Sequence, residues 1–172
     1  DDSTVSSNFG YSSGNEYGVE VGVNNVSLSG NTITGHVSYG IYASASNLTI
    51  FNNNVNSNSE EKVIYVSGNY NNISSNGATS NVESGSDTLY VYEISGNNNT
   101  IASNNADDNN GGSEVYVYYV SGDDNLLTSN QVGSSNYNYG SADVYGIYVS
   151  GGNNTLSSNS NSNGIYDDNG QS

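Results

Sequence analysis

Aliphatic residues recur along this chain at a fixed distance from asparagine. Seven asparagines, Asn8, Asn31, Asn53, Asn76, Asn104, Asn130 and Asn159, each stand three residues after an aliphatic: Val5, Leu28, Ile50, Ile73, Ile101, Leu127 and Leu156. Another small or apolar residue follows five of these anchors by two positions: Ile33, Val55, Ala78, Ala106 and Val132. A second apolar strip, Val21, Ala43, Val66, Ile94, Val120 and Val149, precedes the next anchor by ten residues in all six cases. Successive anchors lie 23, 22, 23, 28, 26 and 29 residues apart. That variation falls in the arc from an anchor to the next strip, which runs 13, 12, 13, 18, 16 and 19. Insertions confined to one side of a repeating unit mark a solenoid, because the stacked arc must match its neighbours and the loop need not.

Within the stacked arc the local period is 2. In VYVYYVSG, Tyr118 and Val120 share one face, and Val117 and Tyr119 share the other. The residues two before each strip position, Val19, Ile41, Ile64, Tyr92, Tyr118 and Ile147, are expected to point inward with the strip. Short β-runs, a coil of 22–29 residues and no helical period predict an all-β fold. The expected architecture is a single-stranded parallel β-helix (solenoid) of about seven coils, one domain over residues 1–172. Each coil would rise by about 4.8 Å, the inter-strand spacing. The anchor asparagines are expected at tight bends, since Asn is the non-Gly residue that visits left-handed φ most readily. Stacked one per coil, their amides would bond the coils above and below.

Composition changes this picture in two ways. Hydrophobic content is 33%, against about 45–50% for an ordinary globular domain. With a formal charge of −16 this is the usual signature of disorder. Sixteen Tyr, many Val and Ile, and the absence of Pro argue instead for an ordered chain with a very thin core. One Lys and no Arg leave nothing to grip phosphates, which excludes nucleic acid as a partner class. Cys is absent, so there is neither a disulfide nor a thiolate metal site. No apolar run approaches the length of a membrane span. Met is absent even at position 1, so the expectation is a processed product or a segment of a longer surface protein.

The units NNTIASN, NNTLSSN and YGIYVSGGNNTLSSN resemble the parallel β-helix repeats of the NosD-like and pectate-lyase-like superfamily, of the kind found in archaeal and bacterial surface proteins. The resemblance covers nearly the whole chain and implies a right-handed coil, in agreement with the handedness of parallel crossovers. It implies no single activity, since that scaffold hosts lyases, hydrolases, adhesins and plain spacers.

The register defines three outward features. The first is a row between the two inward positions: Glu20, Tyr42, Tyr65, Glu93, Tyr119 and Tyr148, with Tyr166 at the last coil. Exposed tyrosines offer rigid area with a polar tip, suited to sugar rings or another subunit, and they also hold a sheet together by cross-strand stacking. The second is a pair of short-hydroxyl rows beside the aliphatic before each anchor. Thr4, Ser27, Thr49, Thr100 and Thr155 are interrupted by Asn72 and Leu126, and the neighbouring serines are interrupted by Phe51 and Ala102. A flat hydroxyl face at that spacing is what an ice-binding solenoid presents. The same stretch carries N-glycosylation sequons at Asn25, Asn47, Asn98 and Asn153, all at one coil position, and at Asn72, displaced by two. The third feature is the acid of the variable arc: Glu60, Glu61, Glu83, Asp87, Asp107, Asp108, Glu114 and Asp143. Asp107 and Asp108 are the Ca²⁺ candidates, but no calcium-loop spacing accompanies them, and like charges also simply keep a polar rod dispersed.

No catalytic residues are assigned. Lyase chemistry on this scaffold needs a base, and the only Lys is Lys62. Asp123 and Asp124 fall at the turn after Ser-Gly, where other coils have Asn69, Asn97 and Gly152, so they are expected as turn residues. His36 is the sole His, in a loop with no evident Asp or Ser partner. The expected function is that of a non-catalytic extracellular or cell-surface β-solenoid that assembles with copies of itself into a filament, appendage or surface layer. The alternatives are a polysaccharide-binding adhesin using the Tyr row and an ice-binding protein using the Thr/Ser row.

Overall fold

The molecule is built from three parallel sheets running the length of a solenoid, each with seven strands. The computed structural model describes residues 3–6, 9–11, 16–36, 38–59, 61–139 and 143–167. The first sheet stacks Ser3–Ser6, Val26–Ser29, Thr49–Phe51, Asn72–Ser74, Thr100–Ala102, Leu126–Thr128 and Thr155–Ser157. The second begins with Phe9–Tyr11 and Thr32–Thr34 and ends with Ser160–Asn161, and the third runs from Tyr17–Val21 to Ile165–Asp167. Seven strands per sheet stack as a parallel β-solenoid of about six turns, the all-β architecture expected from the repeat. The longer arcs add a two-stranded patch, Asn110–Gly111 beside Tyr137–Asn138.

The register follows the aliphatic columns. Val5 pairs with Leu28, Leu28 with Ile50, Ile50 with Ile73, and the column continues through Ile101 and Leu127 to Leu156. Ile33, Val55, Ala78, Ala106 and Val132 form a second buried column, and the strip from Val21 to Val149 a third. Three short sheets facing a shared axis can all be lined by small aliphatics, so a chain poor in hydrophobic residues still closes a dry core. The end rung differs. Val5 is 41% exposed, because it has a strand on one side only.

Two expectations need correction. The first concerns strict alternation in the third sheet. Val117 lies buried beside Tyr118, not outward with Tyr119, and Val63/Ile64 and Val91/Tyr92 repeat the arrangement. Each strand there carries two successive inward residues, a bulge stacked rung upon rung, and the pairing skips one residue at that point. The two inward tyrosines, Tyr92 and Tyr118, are fully buried and stacked at 4.7 Å with 9° between planes. The Tyr92 hydroxyl donates to the carbonyl of Asn76 at 2.9 Å, and burial pushes both phenols far above their usual range.

The second correction concerns the left-handed residue. It is not the anchor asparagine but the residue just before it: Gly30, Asn52, Ser75, Ser103, Ser129 and Ser158, with φ between 53° and 64°. The chain turns there from the first sheet into the second, and the following anchor, buried at that corner, has its amide placed to stack.

Candidate functional site

The anchor amides form a hydrogen-bonded file. The Nδ2 of Asn31 donates to Asn53 Oδ1 at 2.9 Å, and the same link runs from Asn53 to Asn76, Asn76 to Asn104, Asn104 to Asn130 and Asn130 to Asn159 at 3.0–3.1 Å. Each Oδ1 also accepts the backbone N–H of the preceding anchor. The second Nδ2 proton reaches back to a carbonyl one rung earlier, as from Asn104 to Ile73 at 2.8 Å. Each buried anchor amide from Asn31 to Asn130 thus has partners for both its oxygen and its nitrogen. Asn8 lies outside the described residues.

Sequence reasoning missed two further files. At the corner between the second and third sheets, Asn58, Asn81, Asn109 and Asn136 repeat the same Nδ2-to-Oδ1 links at 2.9 Å. At the corner returning to the first sheet, Asn71, Asn99, Asn125 and Asn154 each accept a backbone N–H from the rung before, at 2.7–2.8 Å. The third-corner residues stand five before the anchors, and the second-corner residues five after, except Asn136, which stands six after Asn130. The solenoid therefore has an asparagine file at all three corners.

His36 lies outside the strands, as expected, but is buried at the second corner, in the file one rung before Asn58. Its backbone N–H donates to Asn58 Oδ1 at 3.1 Å, the imidazole is buried, and neither ring nitrogen has a partner among the described residues. Burial lowers its pKa below the ordinary value. The unfolded state therefore binds the proton first, and stability drains away as pH falls through about 6.5. His36→Asn restores the amide link and removes the titration. We expect it to add about 1 kcal/mol at pH 7, with a wider gap over the parent at pH 5, read from urea melts at both pH values.

The outer face of the third sheet carries the largest aromatic surface. Tyr42 and Tyr65 stack at 5.3 Å, and Tyr119 and Tyr148 at 5.4 Å, as the predicted row requires. A second row, Tyr17, Tyr39, Tyr90, Tyr116 and Tyr145, lies beside it. Tyr90, Tyr116 and Tyr145 stack at 5.3 and 4.7 Å, and rings of the two rows meet edge to face, as Tyr116 does with Tyr119 at 83° and Tyr145 with Tyr166 at 79°. These tyrosines are half-buried rather than exposed, apart from Tyr166. Tyr116 is stacked on both faces, between Tyr90 and Tyr145, and the others, Tyr166 apart, have one stacked neighbour with ring edges packed beside them, so the surface presents mainly edges and hydroxyls. That geometry suits cross-strand stapling better than sugar stacking, which uses an open ring face.

A rung in the middle breaks the rows. Lys62 stands where its neighbours have tyrosine, its Nζ 2.9 Å from Glu93 and 5.0 and 5.6 Å from the ring centres of Tyr65 and Tyr90. Burial alone would lower the ammonium pKa. The hydrogen bond and charge of Glu93, with the phenols of Tyr39 and Tyr65, outweigh it and leave the pKa raised. Glu114 accepts from the Tyr116 hydroxyl at 3.2 Å and Asp143 from Tyr145 at 3.4 Å. Burial, with the charge of Glu114, raises the Tyr116 phenol.

The remaining predicted positions fall as follows. Asn25, Asn47, Asn98 and Asn153 are exposed, left-handed at φ 55–61°, and in file with Tyr70 and Asp124 along the third corner, while Asn72 is outward in a strand. Hydroxyls and interruptions share the first sheet's outer face in the expected register, with a shallow polar depression between Thr4, Ser27, Thr49, Asn25 and Asn47. Asp107 accepts the Ser135 N–H at 3.0 Å and Asp108 the Ser80 hydroxyl at 2.8 Å. No group of three or more His, Asp or Glu able to hold a metal is found among the described residues. Asp123 accepts the Gly152 N–H at 2.7 Å, continuing an outer file from Asn69 and Asn97. Among the described residues no helix is long and apolar enough to cross a membrane. Compared with protein-family models, with curated proteins and with solved structures, the chain matches none.

Proposed function

We propose that this protein is a non-catalytic structural β-solenoid of the NosD-like kind that works outside the cell by stacking end to end into a filament, appendage or layer. One observation carries the reading: the aliphatic columns that are dry throughout the middle reach solvent at both end rungs. Val5 is 41% exposed at one end and Ile165 52% at the other, while Leu28 through Leu127 are sealed. The two faces of the first sheet also match in kind. Its first strand reads Thr4-Val5-Ser6 and its last Thr155-Leu156-Ser157, the same residue types in the same columns that pair inside the rod. A copy placed on another would continue the column from Leu156 to Val5, a heterologous contact that propagates. The sequons at Asn25, Asn47, Asn98 and Asn153 would then run as a line of glycan acceptors along one edge.

The charge of −16 opposes this contact, so assembly should depend on salt. The described rungs, seven strands per sheet at about 4.8 Å each, span roughly 30 Å. Negative-stain micrographs at about 1 M NaCl, where screening acts within about 3 Å, should show rods many times that length. Leu156→Glu should return them to single particles. Dispersed particles of one-copy length at high protein and salt concentration would overturn the proposal.

A further inference from the structure

Lys62 is the chain's only cation, and the way it is held describes what else the tyrosine face can hold. Its ammonium sits against two rings, one from each row, and meets a carboxylate supplied by the next rung. The rest of the face repeats these components without a lysine. Glu20 stands beside Tyr42 of the next rung, Glu114 bonds Tyr116, and Asp143 bonds Tyr145 one rung further on. Carboxylates, two of them accepting from the Tyr116 and Tyr145 hydroxyls, line the outward edge beside phenol oxygens that keep lone pairs to accept with.

We propose that this face docks a lysine-rich polypeptide segment from another protein, its ammonium groups seated on the tyrosine and carboxylate rim as Lys62 is seated within it. Charge complementarity argues for the occupant: the chain carries 17 acids against one lysine, so the partner must bring the cations. Geometry argues for a polypeptide over a single small cation. The carboxylates are spread along sheet strands from Glu20 to Asp143, about five rungs at about 4.8 Å, and a chain bearing several ammonium groups engages them together. Lysine fits better than a sugar, because an ammonium needs no open ring face when hydroxyls and carboxylates receive it. The inference concerns the side of the rod and is independent of whether its ends assemble.

The probe is hexalysine, titrated calorimetrically into the intact protein at about 50 mM NaCl, where the Debye length still exceeds 10 Å. Two variants that remove equal charge separate the face from general attraction. Glu114→Gln/Asp143→Asn should weaken binding roughly tenfold, whereas Asp107→Asn/Asp108→Asn, on the second sheet, should change it less than twofold. Tyr119→Ser/Tyr148→Ser, checked for folding by circular dichroism, should weaken it with no change of charge, and hexa-acetyllysine should not bind. Equal loss in the two acid variants, or no heat with hexalysine, would sink the proposal.

Discussion

Asn104→Ala is expected to cost about 3–5 kcal/mol of folding stability. The Asn104 amide sits mid-file. Its Oδ1 accepts from the N–H and Nδ2 of Asn76 at 2.9 and 3.1 Å, and its Nδ2 donates to Ile73 O and Asn130 Oδ1 at 2.8 and 3.0 Å. Truncation leaves the Asn76 N–H and the Ile73 carbonyl without these partners, in surroundings where Asn76 and Ile73 are buried. Each orphaned group costs about 1–3 kcal/mol, and the lost side chain adds a void. Asn104→Asp should be worse still, because a carboxylate would face the Asn130 and Ile73 oxygens with no proton to give. The exposed outer file is the control. Asn97→Ala removes one bond, to the Asp123 N–H at 2.8 Å, in a solvated setting, and should cost about 1 kcal/mol or less. Guanidinium melts followed by circular dichroism at 218 nm (a β-sheet signal,) read both. Equal losses at Asn97 and Asn104 would mean that the buried files do not hold the rungs together.

Gly122→Ala should destabilise by about 3 kcal/mol or more, or prevent folding. A Cβ there would lie 2.0 Å from the Gly96 carbonyl oxygen, and the same approach recurs at Gly68, Gly96 and Gly151, at 1.8–2.0 Å from a carbonyl of the rung before. The obstacle is backbone, so no rotamer relieves it, and two rungs would have to part. The adjacent Gly152 tells the reverse story. A Cβ there meets only Asp123 Oδ1 at 3.5 Å, an ordinary contact, so Gly152→Ala should be neutral within about 0.5 kcal/mol. Thermal melts of the pair check this. If Gly122→Ala melts with the parent, the rungs are looser than the structure shows.

This column explains why Val-Ser-Gly recurs in the sequence. The repetition was visible in the letters, but its cause was not, since a carbonyl 26 residues away is what forbids the side chain. Tyr116 shows a different kind of gap. Under strict alternation it would face inward with Tyr118, and the stacked bulge at Val117 turns it outward, creating the second tyrosine row. No local residue preference signals that bulge. It exists because the neighbouring rungs have it too, at Val63–Ile64 and Val91–Tyr92. The extra asparagine files were hidden differently. In a chain with so much Asn, offsets of five carry weight only once one knows that amides stack. The files are also interrupted at their starts by Leu48, at the third corner, and by His36.

By itself the sequence determined the period, the identity of the inward columns and the place where insertions are allowed. Stacking forces equivalent residues in successive coils to share one environment, and a shared environment leaves a repeated residue type. Only the tertiary structure decided which residue takes the left-handed turn, where a strand slips by one, and whether tyrosines show their faces or their edges. Those features are set by what lies one rung away, some 22–29 residues distant along the chain, and a linear reading has no access to that distance.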